Sequence, residues 1–374
     1  MSTAGRPETD APAASDVATR LREADFVRLV AAADGDALAA VGLVARALDS
    51  DATPYQATVA PVPDDAVRET DADLTVALGR PLPTADLTLG TDTSASRVGY
   101  DVAAQFGDPD PVLALAGVAA GGGVPSGRPL EDAEATGLGR RPGVAVPTTD
   151  LVDGLAHSTL AHGPFSGDEE SAAALVDDLD LPDDPDDATH RRVASLVALA
   201  IAGDADATPR GAEAVERFLR PYAGAPFETV GGYADVLDAV ARTDPGLGVA
   251  LAVGSVDRDA ALAAWRDHGE RAHAAVDGAT TGRYDGLFVA RCEGDAPVGT
   301  VARLVRDFRS PEPVVLVVAD GEAAALADDG TNAGAVVAEA ARAVGGDGDG
   351  TDDWGRARFD GDDAEFVLAF REAQ

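Results

Sequence analysis

Short apolar runs alternate with amphipathic stretches from Phe26 to about Val118. The runs Phe26–Ala31, Tyr55–Val59, Leu74–Leu78, Asp86–Leu89 and Val112–Val118 read as strands. Ala37–Leu48 repeats its apolar positions at helical spacing, and Ala95–Phe106 does so less regularly. Strands separated by helices predict a parallel sheet with crossover connections. Residues 1–20 read as an N-terminal tail, polar and disordered over Met1–Ser15, with a short lead-in helix over Asp16–Ala24.

After Gly121-Gly122-Gly123-Val124-Pro125 the pattern loosens, and Asp132–Asp153 reads as irregular. Ser171–Leu179 and Thr189–Ala202 predict helices flanking an acidic loop at Asp180–Asp187, and Glu213–Leu219 and Tyr233–Ala241 predict two more. The break Asp244-Pro245-Gly246 marks the expected linker, giving a first domain with a helical connector over 21–240 and a second over 245–374. The second domain predicts helices at Asp257–Ala275, Val298–Phe308, Asn332–Val344 and Ala364–Glu372. Its strands are Gly286–Arg291, Pro313–Val318 and Arg356–Phe359. The fold class is therefore α/β: a parallel-sheet domain, a helical connector and a smaller α/β domain.

The sharpest local feature is the turn Ala33-Asp34-Gly35-Asp36 between the first strand and helix. In α/β proteins the carboxyl end of a strand meets a helix N-terminus at such a turn, and ligands gather there. Asp34 and Asp36 are the carboxylates it offers a cation; the alternative is that Asp34 fixes the turn and Asp36 caps the helix.

Charge changes how these residues are read. The net charge is −37, every basic residue is arginine, and 45% of residues are nevertheless hydrophobic. That combination describes a folded protein adapted to molar salt, where the Debye length shrinks to about 3 Å. In such a host an acidic surface does not exclude nucleic acid, so local arginine clusters matter more than net charge. Arg140-Arg141, Arg191-Arg192 and Arg303, Arg306 and Arg309 are those clusters, facing either phosphate or neighbouring carboxylates. Cys292 is the sole cysteine, so neither an intrachain disulfide nor a cysteine-based zinc site is available. A signal peptide and a membrane-length apolar stretch are both absent, which predicts a cytoplasmic protein.

His157 and His162 lie five residues apart and suggest a metal or acid–base pair, against a loop packed between domains. His190, His268 and His273 fall in charged helices and are expected to face solvent. Thr91, Ser94 and Ser158 lack the setting of an activated nucleophile. The Asp-rich runs Asp177–Asp187 and Asp347–Asp353 lack calcium-loop spacing and read as hydrated surface.

In order and spacing the motifs resemble the DHH phosphoesterase superfamily, within it the archaeal RecJ-like proteins. Ala33-Asp34-Gly35 resembles the end of the family's first motif. Pro226–Arg242 resembles the segment before its second domain. Gly299–Val305, Pro313–Val317, and Gly345-Gly346 with Arg356–Phe359 resemble the DHH-associated C-terminal domain. The resemblance implies a two-Mn²⁺ site built from Asp and His side chains, since a dinuclear centre needs several hard ligands.

This chain departs from that set. The first motif's His and Asp fall at Val30 and Ala32, and the second strand ends at Gly79-Arg80. Gly90-Thr91-Asp92 stands where Asp-His-His is expected, and Leu113–Val118 carries no Asp. Asp34, Asp36, Asp92 and His157 are the remnants. Arg303, Arg306, Arg309, Gly345 and Gly346 are the positions the resemblance would assign to nucleic acid or a partner, although Asp347 and Asp349 replace the family's loop histidine and oppose phosphate.

The resemblance with its missing ligands implies a nuclease-inactive scaffold of DNA replication or repair without a cofactor. The family precedent is a eukaryotic helicase cofactor bridging GINS and MCM. Expected partners are GINS, MCM or a RecJ-type paralogue, with single-stranded DNA in the interdomain groove and no membrane. The alternative is an active 5′→3′ single-strand exonuclease or small phosphodiesterase using Mn²⁺ or Mg²⁺. A nucleotide-binding regulatory module is a third reading.

Overall fold

A computed structural model describes residues 12–61, 70–91, 93–179, 182, 185–204, 207–224, 226–328 and 331–374. Helix α1 (Ala14–Glu23) leads into a four-stranded sheet of β1 (Val27–Ala32), β2 (Tyr55–Ala60), β3 (Leu74–Leu78) and β4 (Leu87–Leu89). The strands are all parallel in the order β2-β1-β3-β4. Every residue of β1 is buried, as a central parallel strand covered on both faces requires. Helices α2 (Gly35–Asp51), α3 (Ala95–Ala103) and α4 (Pro111–Ala120) pack together beside the sheet.

A helical middle follows: α5 (Arg128–Ala135), strand β5 (Gly139–Arg140), then α6 (Leu151–His157), α7 (Glu169–Val176), α8 (Asp187–Ala202) and α9 (Pro209–Phe218). Strand β6 (Tyr222–Ala223) pairs with β5. Then come α10 (Val230–Thr243), α11 (Pro245–Val253) and α12 (Arg258–Gly278). Helix α10 packs against α2, α4 and α12 and joins the first core to the middle.

The C-terminal domain contains β7 (Thr280–Tyr284), β8 (Leu287–Arg291), α13 (Val298–Phe308), β9 (Val314–Ala319) and β10 (Glu322–Ala327). It continues with α14 (Ala333–Ala343), β11 (Asp347–Gly350), β12 (Trp354–Arg358) and α15 (Asp363–Ala373). Its strands form a sheet in the order β11-β12-β10-β9-β8-β7, with only the β8–β9 pair parallel. Alternation along β9 divides the core: Val315 and Val317 join α13, whereas Leu316 and Val318 join α14 and α15.

Several expectations are corrected. Val112–Val118 is not a strand but the body of α4, with Pro111 at its first turn and Asp110 capping Val112 N at 3.0 Å and Leu113 N at 3.1 Å. A helix apolar on all sides shows no period that separates it from a buried strand. Asp132–Asp153 contains parts of α5 and α6 as well as β5. Asp244 opens no linker: it caps α11, which packs on α2. Within the expected tail, residues 14–20 are helical and Val17 and Ala18 are buried; residues 1–11 lie outside the described set. His268 and His273 are buried at 1% and 0% exposure, not solvent-facing.

Candidate functional site

The β1–α2 turn forms as its residues dictate, but its two carboxylates divide the labour differently from the expected scheme. Asp34 is the cap of α2, accepting from Ala37 N at 2.8 Å. Asp36 caps a different helix. Its Oδ1 accepts from Ser96 N at 3.0 Å and from the hydroxyls of Ser94 at 2.8 Å and Ser96 at 2.5 Å, and its Oδ2 accepts from Ala95 N at 2.7 Å. Those groups form the N-terminus of α3, whose unpaired amides and dipole favour a carboxylate. The sequence gives Asp36 no signal for this role, because its partners lie about sixty residues downstream.

Helix α10 completes the turn. Gly35 N–H donates to Asp238 Oδ1 at 3.1 Å. One helical turn later Arg242 forks onto the same carboxylate, Nε to Oδ2 at 3.0 Å and NH2 to Oδ1 at 3.0 Å. Burial disfavours the Asp238 anion, yet the Arg242 guanidinium more than offsets it and holds the carboxyl below its ordinary range. Asp34 is pushed up to about 6, chiefly by desolvation and then by the neighbouring Asp36 charge. Arg242 is accommodated because residue 299 on α13 is glycine: a Cβ there would stand 2.7 Å from Arg242 NH1.

This donor set does not fit a dinuclear metal centre. Both Asp36 oxygens are engaged by α3, Asp238 is gripped by a cation, and Asp34 favours protonation below about pH 6. Val30 and Ala32, at the expected ligand positions, are buried hydrophobics. Arg80, at the end of β3, bonds to Pro61 O at 3.0 Å and reaches Asp349 of β11 at 3.4 Å. Asp349 is therefore a partner in a contact between the two domains, not the hydrated surface expected. Asp92 lies outside the described residues. His157 is not brought to this turn: its ring bonds to Asp153 on α6 and Glu270 on α12.

A cleft of about 690 Å³ opens beside the turn, between the glycine run at 121–123, α9, the N-terminal half of α10, and α13. Arg140, Arg217, Arg303 and Arg306 line it, together with Asp235, Asp238 and Asp307. Arg303 is anchored to Thr159 O at 2.8 Å and Thr159 Oγ1 at 3.0 Å, and Arg306 to Asp307 at 3.0 Å. The buried Asp235 accepts from Ser158, Thr159 and Trp265. Arg309 points elsewhere, to Asp277 at 2.8 Å and His162 Nε2 at 2.9 Å. Gly345, at φ +81°, follows α14, and Gly346 N returns to Ala341 O at 2.8 Å, so the pair ends that helix.

Sequence reasoning missed the histidine chain that links the α6–α7 loop to α12. His273 Nε2 meets Ser158 O at 3.1 Å, which leaves His273 Nδ1 to accept from His162 Nδ1 at 3.0 Å. Burial pushes His268 and His273 down to about 3.

The architecture defines an α/β protein with a parallel-sheet domain and a separate C-terminal sheet domain. CDC45 from Entamoeba histolytica superposes with a TM-score of 0.59 at 10% identity, covering 96% of this chain and 98% of that one. RecJ from Thermus thermophilus, in complex with Mn²⁺, aligns at a TM-score of 0.43 and 16% identity over 96% of this chain and 53% of its own. The family described as "Uncharacterized protein rrnAC1427, C-terminal domain" matches residues 279–372. The chain belongs to the family of the Haloarcula marismortui protein rrnAC1427, with which it is 58% identical over 378 residues, 100% of both chains.

Proposed function

We propose that this protein is a nuclease-inactive scaffold of archaeal DNA replication or repair that holds GINS, MCM or a RecJ-type paralogue. The observation carrying the reading is the state of the turn. Asp36 is spent on the N-terminus of α3, Asp238 is paired with Arg242, and buried Val30 and Ala32 stand where the resemblance expects metal ligands. Carboxylates satisfied by protein donors keep the fold intact without a metal, because a buried charge needs either a partner or an ion. The likeness to CDC45 in fold extends over nearly all of both chains. The arginines lining the cleft offer single-stranded DNA a phosphate-binding wall.

The test is capture of partners by the full-length chain from its host in molar KCl, repeated with purified candidates. Co-elution of GINS, MCM or a RecJ-type protein is expected. Repeated failure of all three to bind contradicts the reading.

A further inference from the structure

Helix α8 buries one face at four-residue spacing, through Val193, Val197 and Ile201. Its other side is open to solvent, yet the surface charge of the rest of the chain stops there. From Val193 to Gly203 no residue is charged, in a sequence of which 25% is charged. Ser195, Leu199, Ala202 and Gly203 are exposed along that side and Leu196 is half-buried. Leu199 is 70% exposed, more than any other large apolar side chain among the described residues. The apolar surface runs on into a recess of about 290 Å³ beside α8, where Ile201, Val215 and Phe308 form the walls. A helix without a polar side belongs in a core or against a partner, and a contiguous apolar patch on a soluble protein marks a contact surface.

Charge at the two ends of this face selects the partner. Arg191 and Arg192 are exposed at its N-terminal end, and Asp204 stands just past its C-terminal end. Arg191 reaches Asp187 on its own helix at 3.6 Å with side chains 63% and 65% exposed, a contact that contributes little in salt. Leu196 and Leu199 flank the middle of the face. Arg191 lies five residues before Leu196, and Asp204 five residues after Leu199. Two α8 helices crossing antiparallel about a two-fold axis, with Leu196 of one against Leu199 of the other, therefore also set Arg191 against Asp204 at both ends. Arg192 falls beside the same contact. The helix dipoles then oppose one another, and each pair of arginines meets the negative C-terminal end of the other helix. Between chains of net charge −37, a neutral centre keeps like charges out of the middle of the contact. Molar salt screens the remaining repulsion beyond about 3 Å.

We propose that α8 is a self-association surface, on which two copies of this chain pair antiparallel through Leu196 and Leu199, with Arg191 and Asp204 fixing the register. One helix pair is smaller than a standard interface of about 1,600 Å², so the dimer is a reversible one. This surface is separate from the β1–α2 turn and does not depend on the scaffold reading.

The test is sedimentation velocity of the full-length protein in molar KCl, from about 1 µM to about 0.5 mM. A monomer–dimer equilibrium is expected. Leu199→Asp, at an exposed position, is expected to leave the thermal unfolding transition in place and the protein monomeric throughout. Arg191→Asp and Asp204→Arg each set like charges against one another and are expected to weaken the dimer by roughly tenfold or more. An equimolar mixture of those two variants restores both ion pairs and is expected to dimerise as the wild type does. A wild-type protein that stays monomeric at every concentration overturns the proposal. So does a dimer undisturbed by Leu199→Asp, or a mixture of the two charge variants that associates no better than either alone.

Discussion

Arg242 grips both oxygens of Asp238 at 3.0 Å, and the same carboxylate accepts the backbone N–H of Gly35 at 3.1 Å. An internal guanidinium thus neutralises the acidic turn through the connector helix. Arg242 also touches the second domain, since its guanidinium rests against Gly299 of α13.

Removing one side of this pair strands a buried charge. Arg242→Ala is expected to cost about 3–5 kcal/mol in urea denaturation, whereas Asp238→Ala with Arg242→Ala costs far less than the two single changes added. Additive losses in the double-mutant cycle would show that the pair is not coupled.

Gly299→Ala places its Cβ 2.7 Å from Arg242 NH1. Held by Asp238, that guanidinium does not swing away freely, so the substitution is expected to destabilise the protein by about 1–3 kcal/mol. In the Arg242→Ala background the clash is gone and alanine is the better helix former, so the sign reverses. Equal effects in both backgrounds would contradict the contact.

The raised pKa of Asp34 sets a sign. A carboxyl displaced from 3.8 to about 6 on folding contributes stability that is complete below about pH 4 and lost as pH rises through about 6. Asp34→Asn keeps a good helix cap and removes the ionisation, so it is expected to stabilise the protein at pH 7 by about 1–2 kcal/mol. The advantage vanishes below about pH 4. A difference independent of pH would count against the shift.

His268 and His273 act in the opposite direction. Their folded pKa values, about 3, lie below the ordinary 6.5, so their contribution is complete above about pH 6.5 and is lost on acidification. Between pH 6.5 and 5 the two together are expected to remove about 3 kcal/mol. The raised pKa of His157, whose hydrogen bonds and charge pairing with Asp153 outweigh its burial, returns part of this. His273→Gln is expected to flatten the acid limb of a stability–pH curve; an unchanged limb contradicts the assignment.

Much of the fold was legible because its elements carry periodic patterns: the helix at Ala37–Leu48 and the strands at Tyr55–Val59 and Leu74–Leu78 lie within or on α2, β2 and β3. Failures occurred where local preference and tertiary setting disagree. The alanine-rich β10 and the Asp-Gly repeat of β11 are poor strand sequences held in the sheet by their neighbours. At the turn, a helix cap was readable, although it is Asp34 that supplies it, to Ala37 N three residues on, and not Asp36 as expected. Asp36, Asp238 and Arg242 were not readable, because their meaning lies in contacts across the fold. Helical spacing between Asp153 and His157 was visible in the sequence, whereas the approach of Glu270 was not.

The most direct test is turnover of single-stranded DNA by the wild-type protein with Mn²⁺ in molar KCl, beside an Asp34→Ala variant. No hydrolysis above the variant's level is predicted, because the acidic residues at the turn are committed to protein donors and to Arg242. Mn²⁺-dependent hydrolysis that Asp34→Ala abolishes would contradict the account.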